Sequence, residues 1–236
     1  IMVSSMISVA ANGIYAVSYK FPTLVSTLTT IFNQAWSYSA IREEGTEDES
    51  EYNNKIFRVL IGIVMLIGIG LLTFMKPFLS VYVGKEYYSA WKYTPFLTVG
   101  CVYLTMASFM ATSYTVHKDS FGYLFSGTFG AIFNIAMNFI LIPQVGVYGA
   151  AIATCISYIL VFVFRLFHTR KYIQYNINNK EFIVGSTALV LSVGLMFIDN
   201  RFSFLLQCVI LAVTIYLFSD IWLSIVRKIL KLKGRR

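Results

Sequence analysis

Charged side chains are scarce in this sequence. Asp, Glu, Lys and Arg make up 13% of its 236 residues, whereas roughly 25% is usual in a soluble domain. The charges are also clustered, so that long runs are almost free of them, and an ion at the centre of a bilayer costs roughly 2.5 to 3.5 kcal/mol on insertion scales. Both features exclude an ordinary soluble domain and indicate a membrane protein.

Patterns that hold metals or perform catalysis are also missing. The three cysteines, Cys101, Cys155 and Cys208, stand far apart in apolar runs, with no CxxC pair and no Cys/His spacing that suits zinc. We interpret them as small buried hydrophobic residues. The sequence shows no nucleotide-binding loop, no mapped carboxylate pair and no serine/histidine/acid set. We therefore expect neither an enzyme nor a cofactor.

Apolar residues are what the sequence has in excess. They make up 57% of the chain, and aromatic residues alone make up 17%. Because a helix needs about 20 mostly apolar residues to cross a bilayer, the sequence predicts helices over residues 13–41, 56–75, 94–116, 121–142, 147–168, 182–198 and 203–225. The sequence begins with IMVSSMISVAANG, which has no basic region in front of its apolar residues. We expect seven full spans after a partial one, in a chain that is truncated at its N-terminus.

Short polar segments separate the predicted helices, and their charges predict an orientation. The segments cover residues 42–55, 76–93, 116–121, 142–149, 168–180 and 199–202. If they alternate sides, one set and the C-terminal tail hold fourteen Lys and Arg residues, and the other set holds five. Basic loops stay in the cytoplasm, so we expect a cytoplasmic C-terminus. The outer segment 76–93 gathers aromatic residues, and it either lies along the membrane surface or forms a structured loop.

Polar groups recur along one face of the opening helix. Steps of three and four residues, which align side chains on a helix, connect Lys20, Thr23, Thr27, Thr30, Gln34 and Ser37, with Ser26 and Asn33 beside them. The opposite face carries Leu24, Leu28, Ile31, Phe32 and Ala35. The hydroxyls either bond to their own helix carbonyls and to neighbouring helices, or they line an aqueous cavity.

Lys20 favours the cavity, because an ammonium within a span needs water or an interior partner. Its long stem also allows the alternative that it reaches the membrane interface. Pro22 either kinks the helix or falls within its first turn, and both versions place Lys20 in the outer half of the span. We predict that the polar face as a whole lines a cavity.

Other polar residues in the spans fit helix packing. Asn134 and Asn138 share a helix face, and because an amide without a partner in hydrocarbon costs several kcal/mol, we expect them to tie their helix to a neighbour. Small residues after them predict close helix contacts, in the rows Gly149, Ala153, Ser157 and Gly146, Ala150, Thr154. Asp220 is expected to pair with Arg227 or with a neighbouring helix, and a proton- or ion-coupling role is the alternative.

Several of these segments together resemble a known family. The stretches NGIYAVSYKFPTLVSTLTTIFNQAWSYSAIREE, FLSVYVGKEYYSAW and, most specifically, NIAMNFILIPQVGVYGAAIATCISY are similar to the C-terminal half of Wzx-type polysaccharide flippases. These flippases belong to the multidrug/oligosaccharidyl-lipid/polysaccharide exporter superfamily. The resemblance covers residues 8–175, and the last two spans match only in number and hydrophobicity. It implies an all-α polytopic membrane protein, the C-terminal helix bundle of a two-lobed MATE-like transporter plus two additional helices.

The resemblance also implies a domain division and a function. Residues 1–170 would form the C-terminal transmembrane lobe, incomplete at its N-terminus, and residues 171–236 two additional transmembrane helices and a basic cytoplasmic tail. The family moves undecaprenyl-diphosphate-linked oligosaccharides across the cytoplasmic membrane by alternating access, for surface polysaccharide biosynthesis. Polysaccharide polymerase and glycosyltransferases would be its protein partners, membrane lipid would surround it, and no nucleic acid is involved.

The family's central cavity lies between its lobes, so the opening helix would line it. Lys20 is the candidate for phosphate or an acidic sugar, because a cation binds either. The candidates for sugar contacts are Thr27, Thr30, Asn33, Gln34 and Ser37. Arg42 and Arg58, at helix ends, either collect the diphosphate or serve only as positive-inside charges.

Other functions remain as alternatives. A cation-coupled multidrug exporter of the same fold would be expected to have acidic groups in the bundle interior, where Asp220 is the one candidate in this sequence. A peptidoglycan lipid-precursor flippase would differ in its upstream half and its neighbouring genes. An oligosaccharide polymerase would be expected to have a large outer loop, and segment 76–93 is too short and aromatic for that. A purely structural subunit would leave the polar face without a purpose.

Overall fold

The computed structural model describes residues 2–27, 30, 49–198, 200–221 and 223. These residues form helices and connecting turns, with no β-strand among them. In chain order the helices are α1 (Met2–Met6), α2 (Val9–Lys20), α3 (Glu49–Tyr82), α4 (Thr94–Met110), α5 (Thr112–Val116), α6 (Ser120–Val145), α7 (Val147–His168), α8 (Lys180–Met196) and α9 (Arg201–Leu217). Residues 22–27 are also helical, and 3₁₀ helices occupy Lys85–Lys92 and Thr169–Lys171. The predicted all-α fold class is confirmed.

The chain is a multi-pass membrane protein. Within the described residues, four helical stretches are long and apolar enough to cross a bilayer: Glu49–Tyr82, Thr94–Val116, Ser120–Val145 and Val147–Lys171. Helices α8 and α9 have 17 residues each, which at 1.5 Å per residue is about 25 Å, close to the thickness of the hydrocarbon core. All six coincide with predicted spans.

Several helices start at an N-cap residue with a short polar side chain. Ser8, Asp119, Asn179 and Asn200 stand at the N-caps of α2, α6, α8 and α9, and each accepts a hydrogen bond from a backbone N–H of the first turn. These N–H groups have no partner within the helix. The caps explain why the polar turns of the sequence coincide with helix starts.

Helix α3 is longer at both ends than the sequence predicts. It begins at Glu49, inside the predicted loop 42–55, and continues to Tyr82, inside the predicted loop 76–93. Its first turn carries acidic residues, which interact favourably with a helix N-terminus, and Glu51 pairs with Lys55 at 2.7 Å, one turn on. Some polar residues of the predicted loops 42–55 and 76–93 therefore belong to the two ends of α3.

Gly146 alone separates α6 from α7, so the predicted loop 142–149 is wrong. Helix α6 continues through Pro143 to Val145, and the N–H of Gly146 donates to the carbonyl of Ile142 at 2.9 Å. Gly146 has φ 61° and ψ −134°, a backbone conformation that glycine adopts without steric cost. One residue therefore reverses the chain, and α6 and α7 form an antiparallel hairpin. A Cβ on Gly149 would collide with the α6 backbone, as the row of small residues predicts.

Helix α3 lies at the centre of the core. Helices α4, α8 and α9 pack on it, and α7 packs between α4 and α6. Its buried side chains include Phe57, Leu60, Ile61, Val64, Met65, Ile69, Leu72 and Met75. Helix α6 is the least covered, and its exposed residues include Phe121, Leu124, Phe125, Ile132 and Phe139. An apolar exposed face of this kind suits contact with lipid.

The linker between α7 and α8 is held against one end of the bundle. Tyr175 is buried, its ring centroid lies 5.1 Å from that of Phe57, and its hydroxyl lies 2.7 Å from Ser113 Oγ. Asn54 on α3 accepts a hydrogen bond from the N–H of Asn176 at 2.7 Å. The linker thus connects α3 with α5 at the end predicted to be cytoplasmic.

The aromatic segment predicted between α3 and α4 is a structured loop. Its 3₁₀ helix, Lys85–Lys92, packs against α2 and α3. The ammonium of Lys76 lies 4.1 Å from the ring centroid of Trp91, and this ring lies 5.9 Å from that of Phe197. Cation–π and aromatic contacts therefore hold this loop against the C-terminal ends of α3 and α8, on the side predicted to be outer.

Candidate functional site

A break in the opening helix fixes the position of Lys20. Helix α2 ends at Lys20, Phe21 forms a turn, and a second helical stretch starts at Pro22. Because proline has no N–H, the carbonyl of Ser18 loses its usual partner four residues on. Thr94 Oγ1 donates to this carbonyl at 3.3 Å. The proline therefore does both things that the sequence left open, since it interrupts the helix and also stands in the first turn of the next stretch.

The two faces of this second stretch differ in what covers them. Phe21 and Val25 are buried against the bundle, whereas Lys20, Thr27 and Thr30 are exposed. The apolar residues anchor the stretch, and the polar face lies on the uncovered side. Any molecule that approaches this side of the bundle meets the polar face first.

The threonine hydroxyls bond to their own helix, as one of the two interpretations of the sequence predicts. Thr23 Oγ1 donates to the carbonyl of Lys20 at 2.6 Å, Thr27 to that of Thr23 at 3.0 Å, and Thr30 to that of Ser26 at 2.9 Å. Each hydroxyl oxygen can still accept hydrogen bonds through its lone pairs. The exposed face therefore offers a row of acceptors to a ligand that carries hydroxyl groups.

Lys20 has no carboxylate partner among the residues that the structure describes. Its side chain is exposed at the last turn of α2, where a cation also interacts favourably with the helix C-terminus. A single uncompensated ammonium beside a row of acceptors can bind an anionic group attached to a hydroxylated one. This arrangement is the candidate site.

The remaining candidates of the opening helix lie outside the described residues. They are Asn33, Gln34, Ser37 and Arg42. Thr27 and Thr30 extend the polar face toward them in sequence. The described part of the site therefore consists of Lys20, Thr27 and Thr30.

An apolar groove of about 330 Å³ borders the polar face. Leu24, which is 52% exposed, forms its edge on the opening helix, and α3 supplies the opposite wall. The lining residues are Phe21, Leu24, Ile67, Gly70, Leu71, Phe74, Met75 and Phe78. Polar and apolar surfaces thus run side by side along the same helix.

A second polar zone joins α2, α6 and α7. Asn138 Nδ2 donates to Asn134 Oδ1 at 2.9 Å, and Asn134 Nδ2 lies 3.5 Å from Thr154 Oγ1 on α7, which also lies 3.1 Å from the hydroxyl of Tyr15. Tyr19 and Tyr158 share a further hydrogen bond. Asn134 contacts a neighbouring helix, as the sequence predicts, whereas Asn138 bonds to Asn134 within α6. Unlike the face of Lys20, this zone is turned inward.

Arg58 is engaged with carboxylates. Its Nη2 lies 2.6 Å from Glu181 Oε1 on α8 and 3.2 Å from Asp220 Oδ2, and Lys180 lies 2.9 Å from the same oxygen of Asp220. Asp220 therefore pairs with neighbouring helices, one of its two predicted partners, and the other, Arg227, lies outside the described residues. A substrate diphosphate at Arg58 would have to replace these carboxylates.

Glu181 is a residue that the sequence did not single out. It is 0% exposed, and its Oε2 is buried without a hydrogen-bond partner among the described atoms. In the sequence it stands between the polar segment 168–180 and the predicted span 182–198. Its burial could have been predicted from its position in the first turn of α8, two residues after the N-cap Asn179 and directly before the apolar run of the helix.

Within the described residues, no three His, Cys, Asp or Glu side chains come close enough together to hold a metal ion. Cys101 and Cys155 are buried and Cys208 is half-buried, and all three are free thiols. The interpretation of Cys101 and Cys155 as buried residues is confirmed.

Taken together, the helices define a polytopic all-helical bundle with one polar face left uncovered. No family model matches the chain. The chain is 25% identical over 228 residues to the uncharacterized membrane protein MJ1068 of Methanocaldococcus jannaschii, an alignment that covers 93% of this chain and 43% of that protein. A solved structure described as lipid II flippase MurJ in an inward closed conformation matches with a TM-score of 0.60 and 20% identity, over 95% of this chain and 52% of that one.

The structural likeness establishes the fold. The chain adopts the helical arrangement seen in that flippase, and the predicted all-α polytopic membrane fold is confirmed. The chain spans about half the length of that flippase chain, and less than half of the archaeal relative. Neither comparison extends to the substrate.

Proposed function

We propose that the chain forms one lobe of a flippase that translocates undecaprenyl-diphosphate-linked oligosaccharide repeat units across the cytoplasmic membrane by alternating access. The observation that carries this proposal is the uncovered polar face of the opening helix, where Lys20 has no carboxylate partner within residues 2–27, 30, 49–198, 200–221 and 223. The fold shared with a lipid II flippase supports it. Residues 1–170 are assigned to the lobe, and residues 171–236 to two additional helices and a cytoplasmic tail.

The surfaces beside Lys20 match the three parts of such a substrate. The ammonium suits a diphosphate, the hydroxyl oxygens of Thr27 and Thr30 suit sugar hydroxyls, and the apolar groove at Leu24 suits a prenyl chain. In this proposal Asn33, Gln34 and Ser37 extend the sugar contacts and Arg42 meets the diphosphate at the cytoplasmic end. Arg58 takes part only if the diphosphate displaces Asp220 from it.

One alternative substrate has an observation in its favour. The similar solved structure is described as a lipid II flippase, so a peptidoglycan lipid precursor is the second candidate. Such a precursor also joins a prenyl chain to a sugar through diphosphate, and the contacts proposed for Lys20 would serve it equally. A cation-coupled exporter is supported less, because Glu181, the fully buried acid among the described residues, is paired with Arg58.

The test is Lys20→Ala in the full-length protein, in cells whose surface polysaccharide is measured together with the amount of the protein in the membrane. A lost charge-assisted contact of about 1.5 to 3 kcal/mol predicts that export falls roughly tenfold or more, with unchanged protein level. Lys20→Arg should keep most of the export. Lys85→Ala, which removes an exposed lysine outside the opening helix, is the matched control.

Two results would contradict the proposal. Wild-type export in Lys20→Ala would remove the phosphate role of Lys20. Equal losses in Lys20→Ala and Lys85→Ala would indicate a general charge effect. The lipid that accumulates on the cytoplasmic side, with glycosyltransferases and polymerase intact, distinguishes the two candidate substrates. Accumulation of the lipid-linked repeat unit indicates a repeat-unit flippase, and accumulation of the peptidoglycan precursor indicates a peptidoglycan flippase.

A further inference from the structure

Arg165 is a cation buried in the bundle without a carboxylate. It lies on α7 and is 7% exposed. Its Nε donates to Ser126 Oγ at 3.0 Å, and its Nη1 donates to the carbonyl of Ala107 at 2.9 Å. Among the residues that the structure describes, its remaining contact is with the ring of Tyr123, whose centroid lies 5.7 Å from Cζ. All three partners are uncharged.

A full charge in this position requires compensation. Removing an ion from water costs several kcal/mol, and hydrogen bonds to neutral groups return only part of that. The charge of Arg58, by contrast, is compensated within the chain, because two carboxylates lie within 3.2 Å of its guanidinium. The difference indicates that the counter-ion of Arg165 comes from outside the described protein.

Tyr123, whose ring Arg165 contacts, also lines a pocket of about 380 Å³. It is formed where α5 turns into α6, and its lining residues are Tyr114, Thr115, Lys118, Asp119, Ser120 and Tyr123. The guanidinium of Arg165 lies 5.7 Å from the ring centroid of Tyr123, one of these lining residues. Arg165 therefore contributes positive potential beneath the pocket wall, and the exposed ammonium of Lys118 stands at the pocket itself.

The one carboxylate of the pocket is already neutralised. Asp119 Oδ2 accepts from Lys171 Nζ at 2.9 Å and from the Tyr172 hydroxyl at 3.0 Å, and Oδ1 accepts from the N–H of Gly122 at 2.8 Å. Two exposed cations, Lys118 and Lys171, thus lie near a single carboxylate, and Arg165 adds a third positive charge next to Tyr123. The pocket carries a net positive charge.

Apolar surface continues from the pocket along α6. Phe121 is 86% exposed, Leu124 65% and Phe125 61%. These side chains follow directly after the pocket residue Ser120, in the direction that leads into the membrane-spanning part of α6. A basic pocket at the end of a span with apolar surface below it has the two parts needed to hold a charged lipid headgroup and its acyl chains.

We propose that this pocket binds the phosphate of an anionic phospholipid from the leaflet at the α5–α6 turn, with Lys118 in direct contact and Arg165 supplying the buried charge. The acyl chains lie along Phe121, Leu124 and Phe125. The site is separate from the face of Lys20 and does not depend on the substrate. Arg165 is in this case an electrostatic anchor whose counter-charge is a lipid.

Native mass spectrometry of the full-length protein tests the site, with phosphatidylglycerol or phosphatidylcholine added in detergent. We expect the wild-type protein to bind phosphatidylglycerol more tightly. Because a cation near an anionic headgroup contributes roughly 1 kcal/mol, Lys118→Ala should bind phosphatidylglycerol about fivefold more weakly, and Lys118→Glu should lose the preference. Lys55→Ala is the matched control, since Lys55 is an exposed cation paired within its own helix.

Arg165→Gln tests the buried charge, because glutamine can still donate to a neighbouring oxygen. Its binding of phosphatidylglycerol should fall as in Lys118→Ala, and Lys118 variants keep the test valid if Arg165→Gln does not fold. The proposal is overturned if wild type shows no preference for phosphatidylglycerol, or if Lys118→Glu and Lys55→Ala bind it equally. It is also overturned if inorganic diphosphate displaces the lipid at equal concentration, which would assign the pocket to a diphosphate ligand.

Discussion

Arg58 and Lys20 lie at opposite ends of the bundle and differ in their partners. At the end that carries Arg58, the guanidinium bridges Glu181 and Asp220, and Lys180 completes the group, so that two cations meet two carboxylates. At the other end, Lys20 is exposed and has no carboxylate partner in the described part of the chain. The first arrangement joins α3, α8 and the segment after α9. The second leaves a charge available to a ligand.

This difference separates two uses of a cation near a membrane span. A paired cation stabilises the packing of helices, and its removal exposes the cost of the carboxylate left behind. An unpaired cation on an uncovered face contributes little to packing, and its removal should affect only what binds there. Stability and transport measurements therefore respond to different residues of the same protein.

The largest effect on stability is expected from Arg58→Met. Glu181 is 0% exposed, and the loss of its partner would leave a buried carboxylate unpaired, at a cost of about 3 kcal/mol. Unfolding of the purified full-length protein in detergent, followed by circular dichroism against denaturant, measures this change. The exposed pair of Glu51 and Lys55 provides the control, because Lys55→Ala should cost less than about 1 kcal/mol.

The double variant Arg58→Met/Glu181→Leu sharpens this test. With both charges removed, most of the lost stability should return, because no buried ion remains without a partner. If Arg58→Met is as stable as Lys55→Ala, the network does not hold α8 on α3. Arg58 would then again be a candidate for substrate phosphate.

Cysteine labelling tests the uncovered face directly. Single cysteines at Thr27 and Thr30, both exposed, should react with a water-soluble thiol reagent in the assembled full-length protein, and a cysteine at Gln34 should do the same if the face continues. A cysteine at Val25, which is 0% exposed, should not react, and neither should one at Leu24 in the apolar groove, because a charged reagent does not enter it. Native cysteines are replaced by alanine first.

The pattern of labelling decides between water and lipid. Reaction at Thr27 and Thr30 alone indicates a water-filled cavity. If Thr27, Thr30 and Leu24 all stay unlabelled, the polar face is in contact with lipid or protein, and its hydroxyls serve only the helix itself, as their bonds to Thr23 and Ser26 would then imply.

The membrane spans could be predicted because each one follows from a local property. A segment within a bilayer must satisfy its own backbone and be apolar over its full length, so composition alone locates it to within a few residues. The errors occurred at helix ends. Glu49 and Tyr82 lie in polar segments that the helix α3 nevertheless includes, since a helix does not need to stop where the bilayer stops.

The roles of individual charges could be predicted only in part. The sequence places Lys20 within a predicted span and Arg58 at a helix end, but it does not show which of them has a carboxylate partner. What distinguishes them is Glu181 and Asp220, which are 123 and 162 residues away from Arg58. Pairing over such distances depends on how the helices pack. The same reason explains why the isolation of Arg165 could not be seen in the sequence.

The smallest effect is expected at a paired charge that faces water. The pKa of Asp119 is lowered from 3.8 to about 2, first by the hydrogen bond from Lys171 and then by that from the N–H of Gly122. A lowered pKa in the folded state means that the carboxylate stabilises the fold fully above about pH 4, and that this contribution is lost as the pH falls through about 2. Asp119→Asn keeps a side chain that can cap α6 and removes only the charge.

Thermal unfolding of wild type and Asp119→Asn between pH 6 and pH 2 measures that contribution. Wild type should be slightly more stable at pH 6, because Lys171 is exposed and solvent weakens its pair with Asp119. The difference should shrink toward pH 2, as Asp119 becomes protonated. In a protein that already carries Lys171→Met, adding Asp119→Asn should change the stability little at every pH. A difference that stays constant down to pH 2 would mean that the charge of Asp119 does not act through Lys171, and the pocket beside Lys118 would then hold an uncompensated carboxylate that repels a phosphate.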